Sequence, residues 1–126
     1  MRRGLTVLVL GALAVGGTLL AAEPPSVTAK VCTAVKDRAP VGEAVTFPAT
    51  VGELYCLSEV VNGPATVVHA WFHGGKEIRA IELPVKGPRW RTWSVKKIPQ
   101  ALTGEWRVDV RDAAGAVLAT AKFTVR

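Results

Sequence analysis

From residue 27 onward, apolar and polar residues alternate in short runs, and Gly, Pro or Asn interrupts them about every ten residues. A period of two puts one side of a strand against a core and the other in water. No stretch keeps the 3.6-residue spacing of an amphipathic helix. The pattern predicts strands over residues 27–35, 53–61, 65–73, 76–85, 89–98, 105–111 and 116–125. A short edge strand over 43–47 ends at Pro48, and residues 37–42, around Pro40, read as a loop. Asn62-Gly63-Pro64, Lys86-Gly87-Pro88 and Asp112-Ala113-Ala114-Gly115 separate strands. Gly74-Gly75 reads as a two-residue hairpin turn, because glycine takes positive φ without a Cβ clash. About seven strands in some hundred residues predict an all-β, antiparallel, immunoglobulin-like β-sandwich.

The faces follow from the same alternation. Trp106, Val108 and Val110 point inward, while Glu105, Arg107, Asp109 and Arg111 point out. In the last strand Val117, Ala119, Ala121, Phe123 and Val125 form the core side. The strand over 65–73 is ambiguous. Either Val68, Ala70 and Phe72 face the core and expose His69, Trp71 and His73, or Trp71 is the buried tryptophan that immunoglobulin-type domains carry on their third strand.

The beginning of the chain does not fit the strand pattern. Arg2 and Arg3 precede an apolar run over residues 5–20, then Ala21-Ala22, then Glu23-Pro24-Pro25. That order is the grammar of a secretory signal, with cleavage expected after Ala22. The apolar run is short for a membrane-spanning helix, which needs about 20 residues; an uncleaved anchor is the alternative. Residues 1–22 are thus expected to be a signal peptide and residues 23–126 a single domain, exported to the periplasm or secreted, with no stable membrane span once the signal is removed. Export changes the meaning of the charge. Of the net +6, two positive charges belong to Arg2 and Arg3, so residues 23–126 carry only +4. So modest a surplus favours anionic partners weakly. Export also bears on Cys32 and Cys56, which are expected to form a disulfide. Such a bridge would contribute about 3–4 kcal/mol in the chain-entropy model; two buried free thiols are the alternative.

No catalytic constellation is visible: there is no Gly-x-Ser-x-Gly elbow and no phosphate-binding loop. His69 and His73 lie on one predicted strand about 13 Å apart, too far to share a metal ion. No metal, cofactor or enzymatic activity is expected. The unusual stretch is residues 86–97, KGPRWRTWSVKK, with five cations, no acid and two tryptophans. Trp90 and Trp93 are an odd number apart, so a regular strand sends one to the core and one to the surface. If Trp90 is the buried one, Arg89, Arg91 and Trp93 share the outward face, able to stack a ring and pair with an anion. The competing reading is a structural cation–π stack that seals the sheet. Export argues against nucleic acid as the target. The candidate binding set is Arg89, Trp90, Arg91 and Trp93 with Trp71 and His69, serving an envelope glycan, peptide or protein.

Several segments together resemble a known family: Pro40-Val41-Gly42, Phe47, Gly52-Glu53-Leu54-Tyr55-Cys56, His69-Ala70-Trp71-Phe72, Arg89-Trp90-Arg91-Thr92-Trp93-Ser94, Pro99 and Gly104-Glu105-Trp106-Arg107-Val108. In this order they are similar to the bacterial family called domain of unknown function 2914. The resemblance spans nearly all of residues 23–126. It implies a compact β domain of exported or envelope-associated proteins, with no known activity and no site residues to carry over. One departure is Gly74-Gly75, where the family pattern suggests Asn-Gly; a turn accepts both.

Overall fold

The computed structural model describes residues 23–126; the expected signal peptide, residues 1–22, lies outside the described residues. Ten strands follow in chain order: β1 (Ser26–Cys32), β2 (Ala34–Lys36), β3 (Ala39–Val41), β4 (Thr46–Phe47), β5 (Gly52–Val61), β6 (Ala65–His73), β7 (Lys76–Val85), β8 (Arg89–Ile98), β9 (Gly104–Asp112) and β10 (Val117–Val125). A three-stranded sheet in the order β8–β5–β1 faces a five-stranded sheet in the order β4–β10–β9–β6–β7, and β2–β3 form a separate ribbon. All pairings are antiparallel except the two-residue β4, which runs parallel to β10 at the sheet edge. This is the expected immunoglobulin-like sandwich, and β6, β7 and β8 begin and end at the expected residues.

Two expectations about the first part of the chain are corrected. The strand expected over 27–35 breaks at Thr33, and the loop expected over 37–42 contains β3. Lys36 stands opposite Ala39, so Asp37 and Arg38 are the whole turn of the β2–β3 hairpin. Both hold positive φ, 51° and 60°. A turn of this hand is normally announced by Asn-Gly, and its absence hid the hairpin. The ribbon lies over the outward face of the three-stranded sheet, with β3 near β1 and β2 near β5. That is why Leu57 and Cys32 are buried although they point away from the sandwich interior.

The interior is filled by the inner faces of both sheets. Around Phe123, Phe47 and Trp71 sit edge-on with ring centroids 5.9 and 6.3 Å away, and Trp106 stacks at 5.9 Å. Trp106, Val108, Val110, Phe123 and Val125 are buried as the alternation predicts. Val117 is not: it is exposed, and Leu118 packs inward instead. A bulge causes this, since Val110 pairs with Ala119 but Arg111 with Val117, leaving Leu118 as an extra residue.

The expected Cys32–Cys56 disulfide is absent, and both thiols are free and buried. Register gives the reason. Cys56 stands opposite Val31, and Cys32 opposite Tyr55. One residue of offset sends the two thiols to opposite faces. Cys56 belongs to the interior cluster, whereas Cys32 lies beneath the β2–β3 ribbon. Burial raises both thiols, Cys56 to about 12, so neither is an easily formed thiolate. The native protein is therefore expected to resist Ellman's reagent while the denatured chain exposes both thiols; a mass two hydrogens short of the reduced chain would contradict this.

Strands β7 and β8 are free edges, one of each sheet. Arg79 on β7 stands opposite the buried Trp71, and Lys96 on β8 opposite the buried Leu54. Both cations thus occupy inward-pointing positions on edge strands, a device that discourages pairing with another chain. Burial and then the Arg79 charge lower the Lys96 ammonium below its ordinary pKa, consistent with that crowded placement.

Candidate functional site

Strand β8 alternates as expected. Arg89, Arg91, Trp93, Val95 and Lys97 are exposed, while Ser94 and Ile98 are buried. Trp90 is half-buried against the interior cluster of Val60, Val67, Val85 and Val110. Trp93 is 38% exposed, so it is the surface tryptophan of the pair.

The neighbouring strand orders this face. Arg91 stands directly opposite Glu59, and Trp93 opposite Leu57. Arg89 Nη1 donates to Glu59 Oε2 at 2.9 Å, and Arg91 Nε lies 3.8 Å from the same oxygen. Arg91 Nη1 donates to the Arg38 carbonyl at 2.9 Å, hooking the tip of the β2–β3 hairpin to β8. The result is a cleft of about 500 Å³ between hairpin tip and sheet, lined by Asp37, Arg38, Glu59, Arg89, Arg91 and Trp93 over Trp90. A hollow of about 80 Å³ lies on the other side of Glu59 and Arg91, beneath Pro40.

Among the described residues, the guanidinium groups placed over aromatic rings are Arg107 and Arg111, both over Phe72. None covers Trp93. The cation–π seal considered for residues 89–93 is therefore not what the structure shows. Arg89 and Arg91 are held by Glu59 and by the Arg38 carbonyl, and the indole of Trp93 is uncapped by any guanidinium.

His69 and Trp71 do not belong to this surface, contrary to expectation. Both are fully buried, on the inward side of β6. Trp71 Nε1 donates to Ser94 Oγ at 3.1 Å. His69 Nδ1 is 2.7 Å from Ser94 Oγ, and its Nε2 is 2.7 Å from Ser58 Oγ. An indole can only donate, so one proton order satisfies the chain: Trp71 to Ser94, Ser94 to Nδ1, and Nε2–H to Ser58. Ser58 and Ser94 come from the three-stranded sheet, His69 and Trp71 from the five-stranded one. The network therefore ties the sheets together through the middle of the interior. A serine hydroxyl against an imidazole resembles a nucleophile and base, but every member is buried and no acid orients the ring. Strand β6 misled the alternation because its outward side is covered too: Phe72 lies beneath Arg107, whose Cζ is 3.8 Å from the ring centroid.

A larger hollow, about 730 Å³, lies on the five-stranded sheet beside Arg107, Lys122 and the Gly74-Gly75 turn. Of its two cations, Arg107 is already matched. Arg107 Nε donates to Asp109 Oδ1 at 3.2 Å, an oxygen that also accepts from Thr120. The Trp93 cleft has the better-differentiated chemistry despite its smaller volume. Three of its residues, Asp37, Arg38 and Glu59, were not found from the sequence. Strand alternation predicts an outward Glu59, but nothing local pairs it with β8 or brings the hairpin tip beside it. Among the described residues, no group of three His, Cys, Asp or Glu side chains could hold a metal ion.

No curated protein matches this chain. Residues 64–125, which take in β6 to β10 and the Arg89–Trp93 face but not Asp37, Arg38 or Glu59, match the family model described as protein of unknown function (DUF2914), and the chain belongs to that family.

Proposed function

We propose that this domain is a non-catalytic binding module that acts after export, in the bacterial envelope or outside the cell, and takes a glycan, peptide or protein partner through the Trp93 cleft. The observation that carries the reading is an accessible indole, uncapped by any guanidinium, beside arginines already held in place by Glu59 and the Arg38 carbonyl. Pre-fixed polar groups around an aromatic platform bind with little ordering cost. The signal-like segment over residues 1–22 supports the compartment. A purely structural domain is the second reading. It is favoured by the other three tryptophans, since Trp71 and Trp106 are buried and Trp90 is half-buried.

Acrylamide quenching separates the two cheaply. Trp93 is expected to supply most of the quenchable tryptophan fluorescence, and Trp93→Phe to remove it. A screen of envelope glycans, peptidoglycan fragments and peptides is expected to yield a partner that Trp93→Ala weakens at least tenfold, the loss of about 1.4 kcal/mol or more usual for a central aromatic anchor. Four shielded tryptophans, or no Trp93-dependent partner, would leave the structural reading.

A further inference from the structure

Resting on the reading of the Trp93 cleft as a binding site, we infer that its ligand is an acidic saccharide: a sugar ring laid on Trp93 with its carboxylate on Arg38. The inference comes from which polar groups of the cleft are engaged and which are left over. Glu59 receives Arg89 at 2.9 Å and neighbours Arg91 at 3.8 Å, so those three charges are mutually held. Arg91 is further fixed by its bond to the Arg38 carbonyl. The Arg38 guanidinium is different. No ion pair among the described residues includes Arg38 or Asp37. A five-donor planar fork therefore lines the cleft with no ion-pair partner, the geometry that binds a carboxylate through two parallel hydrogen bonds.

The backbone of the hairpin tip supports this placement. Asp37 and Arg38 both hold positive φ, a region that residues with a Cβ rarely adopt. The turn sets two charged side chains on the cleft where Asn-Gly would build the same turn with less strain. Strained backbone of this kind gathers at ligand-binding sites.

The remaining groups choose between anions. The cleft holds three arginines against Asp37 and Glu59, a surplus of one positive charge. One charge suits one carboxylate per ring. A run of phosphodiesters would meet both acids at close range and be repelled. Those same acids suit sugar hydroxyls, because carboxylates only accept and hydroxyls donate. The exposed face of Trp93 supplies the apolar platform for the ring's C–H side.

The test uses four acidic oligosaccharides of different ring stereochemistry (oligogalacturonate, oligomannuronate, a hyaluronan tetrasaccharide and a muramic acid disaccharide), each with its methyl ester, titrated calorimetrically into the purified protein. At least one acid is expected to bind ten times or more tightly than its ester. Arg38→Gln should bring that acid down to the ester's affinity while leaving the ester unchanged, and Trp93→Ala should remove both. Arg89→Gln, which also frees Glu59, serves as a second charge variant and should weaken the acid further than the ester. Equal binding of acid and ester, indifference to Arg38→Gln, or no binding of any acid overturns the inference. With equal binding, or with a Trp93-dependent peptide or protein found in the broader screen, the binding-module reading stands without it. If neither saccharide nor any Trp93-dependent partner binds, both fall.

Discussion

Trp71→Ala is expected to cost about 3–5 kcal/mol of folding stability, the range for emptying a buried tryptophan site. Trp71 is fully buried between the sheets and packs edge-on against Phe123 at 6.3 Å. The variant leaves a cavity, and it also strips Ser94 of its donor. A domain of this size has only about 5–15 kcal/mol in total, so the variant should unfold at a much lower denaturant concentration. Urea unfolding followed by far-ultraviolet circular dichroism checks it. Trp71→Phe keeps a ring and loses the indole N–H, and should fall between the two. A loss below about 1 kcal/mol for Trp71→Ala would mean that the interior is not organised around this residue.

Acidification below about pH 6.5 is expected to weaken the fold through His69. Burial pushes the His69 imidazole down to about 4, whereas an exposed histidine titrates near 6.5. Its ring nitrogens face Ser94 and Ser58, and no charged side chain bonds to them. Between the two values the unfolded chain takes up a proton that the native state refuses. The stabilising contribution is therefore complete above about pH 6.5 and declines as the pH falls toward 4, by up to about 1.4 kcal/mol per unit. Protonation also destroys the hydrogen-bond order, because an imidazolium can no longer accept the Ser94 hydroxyl at Nδ1. Urea midpoints at pH 7, 6 and 5 should decline in the native sequence and stay nearly flat in His69→Phe. A slope that persists in that variant would assign the effect to other groups.

The cleft was half legible. Trp90 and Trp93 are three residues apart on one strand, so opposite faces followed from period two alone, and with Trp90 inward the Arg89–Arg91–Trp93 row had to point out. The partners of that row come from segments some thirty to fifty residues earlier, at Glu59 and at Asp37-Arg38. Local pattern carries no information about which distant strand lies alongside. His69 and Trp71 were misplaced for a different reason: alternation distinguishes core from water only when a strand is wet on one side, and β6 is covered on both.

By itself the sequence determined the strands with one dry and one wet face, the turns marked by glycine or proline, the inward line of Trp106, Val108 and Val110, and the placement of Trp90 on the face opposite Arg89, Arg91 and Trp93. These depend on a repeat of two residues and on local backbone freedom, both written in adjacent positions. Tertiary structure alone decided the rest. Register set Cys32 and Cys56 on opposite faces and so excluded their bridge. The packing of two sheets buried Trp71 in a chain of hydrogen bonds with His69, Ser94 and Ser58. A hairpin turn with no glycine carried Asp37 and Arg38 to the edge of Trp93. Each of these hangs on a one-residue offset or on contacts between distant segments, and neither leaves a mark on neighbouring residues.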